Sequence, residues 1–306
     1  MKIKTTCSLA QALRLPTEGP VSRLERIMLL ETLLAKPREY LLAHDDHILD
    51  ESLLERYRKL LTMRAEGHPM AYLTGHREFF GLRFEINRAV LIPRPETEWL
   101  VHAAIRLLPE HGTAIDLGTG SGVIAVALAH CRHDARLLAC DISDKALELA
   151  MRNAQQILGP DHRLRFERSD WWEAVPMLGL ALALANPPYL SHDDPHLEQG
   201  DLRFEPRLAL SDQGDGLGAI EAIMEGFKHR SRIGLIEDPG LLFIEHGYQQ
   251  AEAVKALGES KGLYHGFEAI DLAGHPRVSC FGLRPPKADV LDRLKDASLT
   301  WSSGTA

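Results

Sequence analysis

The chain has 306 residues, 45% of them hydrophobic, enough to bury a substantial core and to build one large domain beside a smaller one. Its 43 acidic against 35 basic residues give a formal charge of −8, which argues against the broad basic surface of a protein that grips nucleic acid non-specifically, while a local basic patch stays open. No window approaches the ~20 apolar residues of a membrane span, and Cys7, Cys131, Cys140 and Cys280 lack the spacing of a metal site or a disulfide framework. The expectation is a cytoplasmic protein with free thiols, no metal, no membrane partner and no direct nucleic-acid binding.

From Ser22 to Leu34, the apolar residues Leu24, Ile27, Met28, Leu30, Leu33 and Leu34 recur at helical spacing, and Pro37 closes the segment. A second amphipathic helix starts at Asp50, a natural N-cap, carries Leu53, Leu54, Tyr57, Leu60 and Leu61, and stops at Gly67 before Pro69. Residues 1–75 therefore read as a small helical domain. Leu82, Phe84 and Ile86 alternate with Arg83 and Glu85, a half-buried strand and one arm of a hairpin, so residues 76–95 read as the linker. Residues 96–285 form the larger domain. After a helix ending near Leu108, strand-like runs at Ala114 to Leu117, Leu137 to Cys140, Leu180 to Ala185 and Leu241 to Glu245 alternate with helical stretches. That alternation predicts an α/β fold with a doubly wound, mostly parallel sheet. Phe267 to Leu272 and Val278 to Leu283 are too close for a helical crossover and predict an antiparallel hairpin at the sheet edge. The polar tail, residues 286–306, reads as mostly disordered.

Asp116-Leu117-Gly118-Thr119-Gly120-Ser121-Gly122 follows an apolar strand and opens a helical run. Glycines there let the backbone turn sharply and bring a ligand near main-chain N–H groups, although three glycines can also do no more than shape a turn. Val123 stands where a dinucleotide fingerprint continues, which counts against a nicotinamide cofactor. Asp141 ends the next strand, about twenty residues after the loop, where a carboxylate can accept from both hydroxyls of a ribose. Asp116 either holds loop amides or meets the cofactor's charged amino-acid end. Trp171, in Ser169-Asp170-Trp171-Trp172, either flanks an adenine or is ordinary core.

Asn186-Pro187-Pro188-Tyr189 follows the buried run Leu180 to Ala185, at the strand end where open α/β sheets bind ligands. Consecutive prolines fix the backbone and leave the Asn186 side chain and the Pro187 carbonyl as aimed acceptors for a planar NH2 group, with the Tyr189 ring offering a stacking face. An amide nitrogen is a poor nucleophile; fixed acceptors orient its lone pair and stabilise the positive charge that grows on it during methyl transfer. Arg94 and Glu96 could bridge domains, meet a protein substrate or form a structural ion pair.

With these motifs stand Tyr72-Leu73-Thr74-Gly75, Glu78-Phe79-Phe80-Gly81, Leu91-Ile92-Pro93-Arg94-Pro95-Glu96-Thr97-Glu98, Arg203-Phe204-Glu205-Pro206 and Asp215-Gly216-Leu217. Together they resemble the release factor glutamine methyltransferases, from the N-terminal helices to about Leu283. The resemblance implies a helical N-terminal substrate-recognition domain, a Rossmann-like seven-stranded methyltransferase domain, and N5-methylation of the glutamine in the Gly-Gly-Gln motif of bacterial-type peptide chain release factors, the proteins of translation termination. It implies S-adenosyl-L-methionine as cofactor, released as S-adenosyl-L-homocysteine, in contact with Asp116, Gly118, Thr119, Gly120, Ser121, Gly122, Asp141, Trp171 and Asn186. Asn186, Pro187, Pro188 and Tyr189 would hold the glutamine amide. A sister family acting on a large-subunit ribosomal protein shares both core motifs but differs at Pro93 to Glu98. Adenine-N6 methylation of nucleic acid is the other alternative, since its exocyclic amine is chemically similar. Trp172 and the tail beyond Pro285 depart from the family pattern.

Overall fold

A computed structural model describes residues 7–285, 287–295 and 300–303. They fall into two compact units, residues 1–76 with 198–204, and residues 77–197 with 205–306.

The first unit contains β1 (Cys7–Ser8), α1 (Leu9–Ala12), α2 (Arg23–Leu34), α3 (Arg38–Ala43), β2 (Ile48–Leu49), α4 (Glu51–Ala65) and α5 (Met70–Thr74). The helix starts follow from side-chain capping. Ser22 Oγ accepts from Glu25 N at 3.2 Å while Glu25 Oε2 accepts from Ser22 N at 2.7 Å, and Asp50 Oδ1 accepts from Leu53 N at 2.8 Å. Ile27, Leu29 and Leu30 of α2 pack with Leu54, Tyr57 and Leu61 of α4 and with Leu9 and Leu41. Leu24, placed on the buried stripe by periodicity, is 53% exposed, and Leu29 takes the core position instead. The short antiparallel pair β1–β2 closes this unit and carries no periodic signal of its own.

β3 (His76–Phe79), whose first residue ends the first unit, pairs with β4 (Leu82–Glu85) in a two-stranded ribbon, and α6 (Glu98–Leu107) follows in the second unit. Then come β5 (Thr113–Leu117), α7 (Val123–Cys131), β6 (Arg136–Asp141), α8 (Asp144–Leu158), β7 (Arg165–Arg168), β8 (Leu180–Ala185), α9 (Arg207–Leu210), α10 (Gly218–Arg232), β9 (Ile236–Glu245), α11 (Ala251–Ser260), β10 (Tyr264–Ile270), β11 (Pro276–Gly282), α12 (Ala288–Lys295) and β12 (Thr300–Ser303). The central sheet runs β12-β10-β11-β9-β8-β5-β6-β7. From β7 across to β9 all neighbours are parallel, and β11 enters antiparallel between β9 and β10. All six residues of β8 and all five of β5 are buried, as central strands covered on both faces require. After β5 the chain winds outward to β6 and β7, then returns to β8 on the other side. This reversal opens a crevice beyond the C-terminal ends of β5 and β8, where open parallel sheets take their ligands.

Two expectations are corrected at the far end of the sheet. The tail is not mostly disordered: among its described residues, α12 packs on α6 and buries Val290 and Leu294, and β12 pairs antiparallel with β10 from Phe267↔Ser303 to Ile270↔Thr300. The hairpin of β10 and β11 is antiparallel as expected, but β12 rather than the hairpin forms the edge. The physical reason is that Val290 and Leu294, one helical turn apart, give this polar stretch an apolar stripe. Residues 286, 296–299 and 304–306 of the tail lie outside the described residues.

Candidate active site

A cavity of about 430 Å³ occupies the crevice, lined among others by Gly118, Thr119, Gly120, Ser121, Asp141, Trp171, Asn186 and Pro188. One wall is the glycine loop between β5 and α7. Gly118 and Gly122 sit at φ +73° and +84°, a backbone region that costs residues with a Cβ. Space adds a second requirement, since a Cβ on Gly118 would lie 3.2 Å from the Trp171 ring and one on Gly122 3.0 Å from Ala150 Cβ of α8. The loop's amides are largely spent inside the protein. Gly118 N and Thr119 N donate to Cys140 O at 2.9 and 2.8 Å, Gly122 N to Thr119 O at 2.8 Å, and Gly120 N to Asp141 Oδ2 at 2.9 Å. The loop therefore offers a shaped surface rather than an anion cradle, which suits a donor without phosphates.

Asp141, at the end of β6, is held at both oxygens, Oδ1 accepting from Ser143 N at 2.9 Å. Burial pushes its carboxyl up from the usual range. It is not the cap of α8, because Ser143 Oγ accepts from Ala146 N at 3.3 Å. Asp116 is buried outside the cavity lining: Oδ2 accepts from Thr119 Oγ1 at 2.6 Å and from Ala125 N at 3.3 Å, while Oδ1 has no partner. Burial raises its carboxyl to about 7. Of its two expected parts, bracing the loop is the one this geometry supports.

Both adjacent tryptophans pack against the core, but only Trp171 also lines the cavity. Trp171, at φ +44°, lines the cavity against Gly118, and its carbonyl accepts from Ser169 Oγ at 3.0 Å. Trp172 is core: its Nε1 donates to Ile223 O at 3.0 Å, and Gly226 of α10 leaves room for its ring, since a Cβ there would fall 1.9 Å from Trp172 Cδ1.

The opposite wall carries the tetrapeptide after β8. Asn186 Nδ2 donates to Thr97 Oγ1 at 3.1 Å, and Asn186 Oδ1 is buried without any partner. Pro188 lines the cavity; Pro187 and Tyr189 do not. Tyr189 packs on the apolar core and its carbonyl accepts from Gln250 Nε2 at 2.9 Å, while burial pushes its hydroxyl up. Tyr189 is half-buried against the core and does not line the cavity, so the expected stacking face is not part of the cavity wall. Gly216, from the Asp215-Gly216-Leu217 motif, comes so close to Tyr189 O that a Cβ would lie 2.4 Å away.

Three residues not named as site residues from the sequence join this wall. Thr97 lies just before α6 and lines the cavity, and Glu245 ends β9, buried, with burial pushing its carboxyl up to about 7. Glu205 is buried, accepts from Ile92 N at 2.9 Å and pairs with Arg94, so the structural ion pair is the reading that holds for Arg94. Thr97 and Glu205 stood inside noted motifs, but nothing local marks what they touch. Glu245 only ended a strand.

Two family models match the chain, one described as the PrmC N-terminal domain over residues 10–75 and one as the methyltransferase small domain over residues 97–201. The release factor glutamine methyltransferase of Burkholderia pseudomallei is 44% identical over 281 residues, covering 90% of this chain and 97% of that protein. That of Bordetella pertussis is 44% identical over 260 residues, with coverages of 84% and 93%, and that of Escherichia coli is 40% identical over 265 residues, with 86% and 92%. Among solved structures, the hMettl16 catalytic domain in complex with the MAT2A 3′UTR hairpin 1 superposes with a TM-score of 0.51 at 14% identity, covering 85% of this chain and 88% of that one, a likeness of fold alone. The conserved length of these relatives and the match to both family models mean that the chain belongs to the release factor glutamine methyltransferase family.

Proposed function

We propose that this chain uses S-adenosyl-L-methionine to methylate N5 of the glutamine in the Gly-Gly-Gln motif of peptide chain release factors. The observation that carries the reading is the Asn186 side chain, whose Oδ1 is buried without a partner at the end of β8, in a residue lining the cavity. A buried acceptor left empty costs roughly 1–3 kcal/mol, a cost relieved when a ligand N–H arrives. The NH2 of a glutamine side chain supplies that donor.

The residues fit the methyl donor. The cavity has a carboxylate at Asp141 for ribose hydroxyls, an aromatic face at Trp171, and a glycine loop whose close approach any side chain on Gly118 would obstruct. When bound, the donor supplies a methyl group on a positively charged sulfur. Asn186 Oδ1 would accept from an N5 hydrogen and hold the amide with its nitrogen toward that methyl. Methyl transfer would place positive charge on the nitrogen, which Asn186 Oδ1 would stabilise. One N5 proton then leaves to solvent, and the neutral methylamide is the product. Asp116, Thr119 and Tyr189 act by holding these walls in place.

The test is mass spectrometry of a purified bacterial release factor after incubation with the protein and S-adenosyl-L-methionine. One added methyl on the Gly-Gly-Gln glutamine is expected. In Asn186→Ala, kcat is expected to fall by about 10²–10³, with affinity for S-adenosyl-L-methionine largely intact by calorimetry. Full activity in that variant defeats the amide-reading role of Asn186.

A further inference from the structure

Pro187 and Pro188 fix φ but bring no N–H, so the two residues after Asn186 cannot anchor themselves by donating to a neighbour. The segment is gripped at its ends. Upstream, Ala185 pairs with Leu117 of β5 and with Ile244 of β9. Downstream, the Tyr189 carbonyl accepts from Gln250 Nε2 at 2.9 Å. We infer that Gln250 is a positioning residue for methyl transfer, whose side-chain amide ties the far end of the tetrapeptide to the loop that begins at Asp212 and so keeps Asn186 on aim. The inference rests on the reading of Asn186 as acceptor for the substrate amide.

Gln250 stands at the N-terminus of α11, yet its side chain makes no cap hydrogen bond there. It is spent elsewhere. Oε1 accepts from Gly247 N at 2.9 Å, which fixes the end of the amide that faces outward, since a main-chain N–H can only donate. Nε2 then has two protons to place, and two carbonyls stand before it, Tyr189 O at 2.9 Å and Gly216 O at 3.4 Å. Gly216 is what lets the loop come so near. It sits at φ +86°, and a Cβ on it would lie 2.4 Å from Tyr189 O and 3.0 Å from Gln250 Nε2.

The loop on the other side of this tie belongs to the cavity, which Ser211, Asp212, Gln213 and Gly218 line. Asp212 shapes the loop from within, Oδ1 accepting from Gly214 N at 2.8 Å and Gly216 N at 3.0 Å, and Oδ2 from Gly218 N at 2.7 Å. Leu190 N donates to Leu210 O and His192 N to Gly214 O, both at 2.9 Å, so the chain leaving the tetrapeptide runs along the loop. Gln250 acts one step closer, on the tetrapeptide itself. Without its amide, two carbonyl oxygens converge with no donor between them. The Asn186 side chain is then free to shift, and a misplacement of about 1 Å at a reacting pair costs ~10²-fold in rate.

The experiment compares Gln250→Met, Gln250→Glu, Gly216→Ala, Asn186→Ala and the double variant Gln250→Met with Asn186→Ala against the full-length wild type, using a purified release factor and labelled S-adenosyl-L-methionine. The readouts are kcat, KM for the release factor, and the dissociation constant for S-adenosyl-L-methionine. Gln250→Met, of the same length but without the donor, is expected to lose ~10- to 100-fold in kcat, while KM and the dissociation constant stay within about twofold of wild type. Gln250→Glu keeps an acceptor for Gly247 N but turns a carboxylate oxygen on the two carbonyls, and is expected to be slower still. Gly216→Ala disturbs the same contact from the other side and is expected to lose kcat with S-adenosyl-L-methionine binding retained, which decides the matter if a Gln250 variant fails to fold. Because Gln250 acts through Asn186, the double variant is expected to stay within about twofold of Asn186→Ala. Wild-type kcat in Gln250→Met or Gly216→Ala beside an inactive Asn186→Ala overturns the tie alone, as does a loss that falls on S-adenosyl-L-methionine binding with kcat intact, or a double variant slower than that limit. A Gln250→Glu variant faster than Gln250→Met also overturns it, since the donor is then not what matters. An active Asn186→Ala overturns the underlying reading instead.

Discussion

At the residue scale, the cavity walls depend on carboxylates satisfied to different degrees. Asp141 receives Gly120 N and Ser143 N, and lines the cavity. Replacing it with alanine removes the acceptor proposed for the ribose and releases the Gly120 amide, so Asp141→Ala is expected to weaken S-adenosyl-L-methionine binding by about one to two powers of ten, from hydrogen bonds to a charged group worth ~1.5–3 kcal/mol. Calorimetric titration checks this, and an unchanged dissociation constant removes Asp141 from the cofactor site. The same scale explains why two neighbouring tryptophans behave differently. Trp171 is turned by its positive φ onto Gly118, while the Trp172 indole N–H has a buried carbonyl to satisfy and goes into the core.

At the scale of elements, one side chain of α8 ties the second unit's parts together. Asn153 is fully buried; its Nδ2 donates to Glu85 O at 3.0 Å and Ser121 O at 2.9 Å, and its Oδ1 accepts from Glu85 N at 2.7 Å. It thereby pins β4 and the glycine loop to the helix between them. Asn153→Ala leaves three backbone groups unpaired and is expected to cost about 3 kcal/mol, seen as a lower urea midpoint with an unchanged slope. A loss below about 0.5 kcal/mol would mean that these backbone groups find other partners. Elements with strong local signals, such as α2 and α4 with their caps and 3.6-residue stripes, are legible from the chain. β12 is not: what makes it a strand is the open edge of β10, which exists only after the sheet has formed.

At the scale of the whole molecule, the sheet reversal between β5 and β8 brings buried acids into a region that water does not reach. Asp116 and Glu245 both rise to about 7, chiefly through burial, from ordinary values of 3.8 and 4.5. Between roughly pH 4 and 7 the folded protein thus keeps protons that the unfolded chain has released, so these groups make stability fall as pH rises through that window and level off above it. Asp116→Asn has no proton to lose. Its stability relative to wild type, without ligand, is expected to increase from pH 5 to pH 7 and then stay flat. Parallel curves of melting temperature against pH would show that Asp116 is already ionised in the fold at pH 5.

Much of the site was legible because it is local. Gly118 to Gly122 and Asn186 to Tyr189 are contiguous segments whose backbone needs and side-chain chemistry are set by neighbours in the chain, and Asp141 follows from its distance to the loop and its place at a strand end. The alternation of apolar strands and amphipathic helices likewise determined a mostly parallel sheet. Only the tertiary structure decided how those parts are held. Glu205 reaches Arg94 across 111 positions and Thr97 reaches Asn186 across 89, and no periodicity or motif encodes a hydrogen bond between residues so far apart. The same holds for Tyr189, whose ring packs half-buried against the core rather than lining the cavity. Burial is a property of the assembled core, and it alone gives Asp116, Asn186 and Glu245 their unpaired oxygens.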